Sequence, residues 1–338
     1  IIDYIEWCVD EYQLSSSDVI ANHAPLYFDN STFDLYTAFC TGAELHLVHD
    51  AVNSVLPSLI KWMRNRKITT FFCVPSVMSM LLRSRRLKAD SFPNLRHMIA
   101  AGEVLPPDVV RGWMELYPQV QFTNMYGPTE ITVDCSFHVI SEIPAKGQQA
   151  IPIGKARPNM ELFVRADDGH LSQAQGSRGE LLVRGTSVAY GYLGDSEKTK
   201  KAFIQNPGNN IFPDWLYCTG DLVEIDENGD FLFLGRADEQ IKYLGYRIEL
   251  GEIEAALTSI QGVDEGVVVF NDSSNPDEIG IGALVSSESL DEKSLRGELK
   301  EKLPPYMVPG RIVLKSGDFP RTANGKYDRK SIKKLVFQ

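Results

Sequence analysis

LRHMIAAGEVLPPDVVRGWMELYPQVQFTNMYGPTE, Leu95 to Glu130, reads as an apolar strand, a helix and a second apolar strand that closes on a Gly-Pro turn. The same alternation runs back to Glu44 through ELHLVHD, SLIKWMRNR, ITTFFCV and SVMSMLLRS. Strands and helices in this order predict right-handed crossovers and a parallel sheet covered on both faces. Ligands of such sheets lie at the carboxyl ends of the strands. At that end stands NMYGPTE, whose Gly-Pro step bends the backbone so that the Thr129 hydroxyl and the Glu130 carboxylate project toward one shared ligand. The layout suits a nucleotide and a metal ion, and taken alone the stretch is equally read as an ordinary strand and turn.

After Glu130 the texture changes to strands and turns, which run to Gly235. DLVEIDENGDFLFLGR reads as a hairpin of two alternating strands joined through Asn228-Gly229. Residues 239–338 read as a separate small α+β unit. Its first helix carries Ile253, Leu257 and Ile260 on one face and is expected to end at Gly262. Strands VDEGVVVF and IGIGALVS follow, then a charged helix, LDEKSLRGELKEKL, and a last short helix, KSIKKLVF. The expectation is an α/β large subdomain, with parallel sheet layers and a β-rich section, followed by a small α+β C-terminal subdomain.

A length of 338 residues fits two or three domains, so burial is not limiting. A net charge of -11 argues against a nucleic-acid surface and against an anionic membrane as partner. The five cysteines are scattered, odd in number and free of CxxC spacing, which points to neither a disulfide framework nor a zinc site. No apolar run reaches the length of a membrane span, and the opening IIDYIEWCVDEY is too acidic for a signal peptide. A cytoplasmic setting is the simplest expectation.

Taken with NMYGPTE, four further segments carry a resemblance: GELLVRGTSVAYGYLGDSEKTKKAF (Gly179–Phe203), YCTGDLVEIDENGDFLFLGRADEQIKYLGYRIELGEIE (Tyr217–Glu254), LPPYMVP and PRTANGKYDRK. Together, in the family's order from about Asp29 to Arg329, they resemble an amino-acid-activating adenylation domain of nonribosomal peptide synthetases. That family belongs to the adenylate-forming superfamily with acyl-CoA synthetases and luciferases. The resemblance implies an adenylate-forming enzyme fold. It makes 1–237 the rear part of the large subdomain and 238–338 the small mobile subdomain, with a hinge at Asp238. The family's phosphate loop ending in Pro-Lys-Gly is expected before position 1, and no segment here replaces it.

In the family, a substrate carboxylate attacks the α-phosphorus of ATP, pyrophosphate leaves, and the acyl group passes to the phosphopantetheine thiol of a carrier domain. The resemblance makes Lys326 the catalytic lysine. Asp221 is then the acceptor for both ribose hydroxyls, Arg236 a ribose and phosphate contact, and Asn124 and Tyr126 the adenine partners. Gly102 permits close approach to the base, Thr129 touches the α-phosphate and Glu130 holds Mg²⁺. Asp29 matches the residue that binds the substrate's α-ammonium. The family's other pocket positions fall on Asn30, Phe33, Cys73, Ile99, Ala101, Met125, Val133 and Asp134. Cys218 departs from the basic residue usual in the family's TGD motif. Read for its chemistry, Asp134 is a second carboxylate opposite the ammonium site and suits a distal amine, as in an ornithine-type or modified ornithine substrate of siderophore synthesis; a solvated Asp on a strand edge is the alternative. The implied partners are an amino acid, a peptidyl carrier domain and a condensation domain. Two rival readings are an acyl- or aryl-CoA synthetase, whose substrates lack the ammonium that Asp29 would meet, and a non-catalytic scaffold.

Overall fold

The computed structural model describes residues 1–338 except 54, 274–277, 288, 316 and 323–325, and except the side chain of residue 50. The chain divides into two compact units, Ile1–Ala237 and Asp238–Gln338.

In the first unit the elements run α1 (Ile2–Glu11), β1 (Val19–Asn22), α2 (Ser31–Thr41), β2 (Glu44–Leu47), α3 (Asp50–Asn53), α4 (Leu56–Asn65), β3 (Thr70–Cys73), α5 (Pro75–Arg83), β4 (His97–Ala100), α6 (Pro107–Leu116) and β5 (Gln121–Tyr126). Strands β2-β1-β3-β4-β5 pair in parallel in that order. β6 (Ser136–Ile140) and β7 (Lys155–Ala156) extend the sheet antiparallel. Every residue of β3 and β4 is buried, as a sheet covered on both faces requires. Helices α4, α5 and α6 each begin with a proline in the first turn, where its missing N–H costs no helical bond. Their apolar stripes, including Leu59, Met63, Val77, Leu81, Val110 and Trp113, pack on Phe71, Met98 and Phe122. Each such side chain contributes about 1.5–3 kcal/mol by leaving water.

A second, antiparallel sheet follows: β8 (Met160–Arg165), β9 (Leu171–Ser172), β10 (Arg178–Gly185), β11 (Phe203–Gln205), β12 (Trp215–Ile225) and β13 (Phe231–Arg236), with α7 (Ser196–Ala202) preceding β11. Its order is β11-β12-β10-β8-β9, with β13 paired to β12. β12 and β13 form the expected hairpin, and Gly229 in its loop takes φ +77. The Phe231 N–H donates to Gly154 O at 2.8 Å, tying β13 to the residue that leads into β7.

The second unit opens with a hairpin of β14 (Gln240–Tyr243) and β15 (Tyr246–Glu249), closed by Leu244-Gly245 with φ 53 and 80, the primed turn that suits strand twist. α8 (Leu250–Thr258) leads to β16 (Glu265–Asn271), β17 (Gly280–Ser286), α9 (Glu292–Lys302), β18 (Arg311–Leu314) and α10 (Arg329–Phe337). α8 stops at Thr258, short of the expected Gly262. The chain leaves the helix through a turn in which the Ile260 N–H donates to Leu257 O, so Ile260 still reaches the core with Ile253 and Leu257. Among the described residues no helix is long and apolar enough to cross a membrane.

Candidate active site

The turn after β5 is shaped by one glycine. A Cβ on Gly127 would stand 2.3 Å from Val133 O, so only glycine lets the chain fold back this closely. Thr129 and Glu130 then enter a single 3-10 turn, Thr129–Ile131, beyond the strand end.

On one side of this turn lies a buried polar cluster. The β12–β13 register sets Asp221 opposite Arg236, and Arg236 Nη1 donates to Asp221 Oδ1 at 2.6 Å and to Thr219 O at 3.2 Å. The other Asp221 oxygen accepts from the Tyr126 hydroxyl, which arrives from a strand 95 residues away in sequence. Asp221 is 2% exposed, and a charge so buried persists only when paired. Burial and the adjacent Asp221 carboxylate push the Tyr126 phenol well above its usual range, which keeps it a donor. Asn124, also on β5, donates its amide to Pro152 O at 2.7 Å, which fixes the orientation of its side chain. Gly102 takes φ +90 after β4, a conformation costly for any residue with a Cβ. The structure thus brings Asn124, Tyr126, Asp221 and Arg236 to one end of β5 and its neighbouring hairpin.

Asp29 lies just before α2. Burial raises its carboxyl above the usual range, against a hydrogen bond from Thr129 that lowers it, and the Glu130 charge raises it further. Asp29, Thr129 and Glu130 are therefore neighbours, although Asp29 is far from the other two in sequence. Asn30, at the N-cap position of α2, makes no capping bond, and its buried Oδ1 has no hydrogen-bond partner among the described residues. Phe33, Ile99, Ala101, Met125 and Val133 fall in one buried cluster with Tyr4, Ile5, Trp7 and Cys8 of α1 and with Tyr12. Cys73 does not join them. Alternation along β3 puts Phe72 in that cluster and Cys73 in the one beneath α4, α5 and α6, where burial pushes its thiol up.

Asp134 is 1% exposed and accepts from the Tyr4 hydroxyl at 3.1 Å, so it is not a solvated strand-edge residue. Its backbone oxygen accepts from Arg157 Nε at 3.0 Å. Arg157 is itself buried and pairs with Asp3 at 2.6 Å. Burial would raise Asp3, but hydrogen bonds from Arg157, Asn159 and Thr186 outweigh it and bring that carboxyl down to about 2.

Glu130 follows Thr129 in the 3-10 turn beyond β5. Mg²⁺ keeps several waters and takes one or two carboxylates plus substrate phosphates, so a single glutamate at a strand end fits it. Among the described residues there is no cluster of three or more metal-ligating side chains. The Tyr192 hydroxyl donates to Glu130 Oε1 at 2.6 Å.

In the second unit, Gln240 N donates to Asp238 Oδ1 at 3.1 Å at the start of β14. Lys326 is exposed, and its backbone oxygen accepts from Thr322 N at 2.7 Å; residues 323–325 lie outside the described residues.

Sequence reasoning did not single out Tyr4, Arg157 or Tyr192. Tyr192 lay within a quoted segment, yet nothing in its spacing marks which carboxylate it meets.

Residues 2–193 match the AMP-binding enzyme family, and residues 252–326 match the AMP-binding enzyme C-terminal domain. The chain belongs to the AMP-binding enzyme family. It is 32% identical over 339 residues to the D-alanine–D-alanyl carrier protein ligase of Bacillus anthracis, covering 98% of this chain and 66% of that protein. The Bacillus cereus ligase of the same name shows the same identity and coverage. Among solved structures, the adenylation domain AlmE of Vibrio cholerae, in complex with glycyl-adenosine-5'-phosphate, aligns with a TM-score of 0.86 at 28% identity, over 98% of this chain and 61% of that one. IdnL1 aligns with a TM-score of 0.83 at 28% identity, over 94% of this chain and 64% of that one. The chain thus has the adenylate-forming fold and spans just under two thirds of the length of the curated relatives it matches.

Proposed function

We propose that this AMP-binding family member activates an amino acid as its aminoacyl-adenylate, using ATP and Mg²⁺, and passes the acyl group to the phosphopantetheine thiol of a carrier domain. The observation that carries the reading is the Asp221 carboxylate, held rigid by Tyr126 and Arg236 beside the YGPTE turn. A carboxylate has two oxygens and about four lone-pair sites, so Asp221 can accept from a ribose diol while keeping both protein donors. Its donors fix its plane before any ligand arrives, and that preorganisation is what an adenosine site needs. Arg236 adds a fixed cation near the phosphates, and the Thr129 hydroxyl would meet the α-phosphate.

The chemical obstacle is the approach of one anion to another. Bound to Glu130 and the phosphates, Mg²⁺ would offset that repulsion. Lys326 supplies a second cation, bridging the substrate carboxylate and a phosphate oxygen as charge shifts to the leaving pyrophosphate. Asp238 is the hinge about which the small unit turns between the two half-reactions. Asp29 takes the α-ammonium, and its raised pKa reflects a half-buried carboxylate whose natural complement is a cation. A CoA ligase acting on simple acids would bring no such cation. The relatives named for D-alanine and crystallised with a glycyl adenylate support an amino acid as substrate.

For the side chain, an ornithine-type acid is the reading favoured by the wall. Asn30 Oδ1 and the Asp134 carboxylate are both buried acceptors, and acceptors call for a substrate bearing N–H donors. The carrier and condensation domains are the proposed partners. The test is amino-acid-dependent ATP–pyrophosphate exchange in the full-length protein across glycine, alanine, aromatic, acidic and ornithine-type acids, including N5-modified ones. Exchange with an ornithine-type acid supports the whole reading. Exchange confined to glycine or alanine keeps adenylation and removes the argument from the wall, and silence across the panel favours a scaffold.

A further inference from the structure

Glu130 is held by a device that sequence reading did not reach. The Tyr192 hydroxyl donates to Glu130 Oε1 at 2.6 Å, and the Ala189 N–H donates to the Glu130 backbone oxygen at 2.8 Å. One short loop therefore grips both ends of the same residue. Tyr192 is itself pinned. Its N–H donates to Thr199 Oγ1 at 2.9 Å, its ring meets Phe203 edge-on at 5.7 Å between centroids, and Lys198 Nζ lies 4.5 Å above that ring. Gly191, just before it, approaches Thr199 so closely that a Cβ would fall 2.4 Å from Thr199 Cγ2. A side chain ordered from so many directions is built to hold its hydroxyl in place.

We infer that Tyr192 is the positioning residue of the metal-binding carboxylate: its hydroxyl orients Glu130 for Mg²⁺ bound with the nucleotide. This rests on the proposed magnesium role of Glu130. Partners of this kind fix the plane and basicity of a metal ligand, and losing one typically weakens metal affinity by about 10–100-fold.

The test uses the full-length protein with Mn²⁺ as the probe and a non-hydrolysable ATP analogue, and it reads the ternary complex by water-proton relaxation. Tyr192→Phe should weaken Mn²⁺ binding about tenfold or more with the thermal midpoint close to wild type. Thr199→Val, which frees the Tyr192 backbone, should shift it in the same direction by less and serves if Tyr192→Phe folds poorly. Wild-type Mn²⁺ affinity in Tyr192→Phe, or in Thr199→Val should that variant have to serve, overturns the inference. Glu130→Gln separates the two levels. If it weakens Mn²⁺ binding while Tyr192→Phe does not, only the positioning role falls. If Glu130→Gln also leaves Mn²⁺ binding unchanged, the metal role of Glu130 falls and takes the inference with it.

Discussion

The two ends of the candidate site are built on opposite principles. At the nucleotide end, Asp221, Arg236 and Tyr126 satisfy one another, so the charges are complete before a ligand binds. At the end proposed for the amino acid, Asp29 is half-buried with a raised pKa, and Asn30 Oδ1 has no hydrogen-bond partner among the described residues. One end is prepaid in protein hydrogen bonds; the other holds a carboxylate whose protein partners include Thr129, beside an amide oxygen left for the proposed substrate to complete. On the proposed function, the difference divides a general half from a selective one. Every substrate of an adenylating enzyme brings the same nucleotide, so its site can be rigid and self-sufficient. The amino acid varies, and an incomplete wall rejects ligands that leave its polar groups unmet.

The sharpest way to break this contrast is Asp221→Ala. Removing one member of a buried ion pair leaves the other charge uncompensated, so stability should fall by about 3–5 kcal/mol, read by denaturant unfolding, with nucleotide binding lost. A loss below about 1 kcal/mol, the value of an exposed pair, would mean the cluster is not the rigid half. Next in size is Lys326→Ala. It should slow adenylation by roughly 2.7–4 kcal/mol in the barrier, the value of one preorganised donor, yet spare thiolation from preformed adenylate. Equal loss of both half-reactions would remove Lys326 from the first step alone.

A pH profile probes the incomplete end. Asp29 must be ionised to take the ammonium, and burial raises its pKa above the ordinary 3.8. Amino-acid kcat/KM should therefore fall on the acid side at a pH above the usual carboxylate range, while nucleotide binding stays level there. Asp29→Asn should abolish that limb with most of the activity, and an identical limb in the variant would assign it elsewhere. The smallest expected effect is Asp134→Ala. It leaves the Tyr4 hydroxyl without its acceptor, at about 1–3 kcal/mol, and should shift preference toward neutral side chains in the exchange panel. Unchanged selectivity would make Asp134 part of the scaffold around Arg157 and Asp3.

Much of the frame was legible in local patterns. The alternation from Glu44 to Asn124 predicted the parallel strands, because strand and helix periods are written into consecutive residues. The Asn228-Gly229 hairpin was legible for the same reason, through turn chemistry. The end of α8 was less so: Ile260 belongs to the apolar pattern, yet it is buried from a turn outside the helix. Cys73 shows a different limit. Its sequence register matched a pocket position, but in β3 a shift of one residue changes the face, and Phe72 packs with the other pocket positions.

By itself, then, the sequence determined the strand-and-helix order, the glycine-dependent YGPTE turn and the residue types available at each strand end, since these follow from steric rules acting over a few residues. Only the tertiary structure decided who meets whom. Tyr126 reaches Asp221 across 95 residues, Tyr4 reaches Asp134 across 130, and Tyr192 reaches Glu130 across 62. A tyrosine hydroxyl leaves no mark in periodicity or spacing. Its partner is chosen when burial removes water and the nearest carboxylate becomes the acceptor that compensates it.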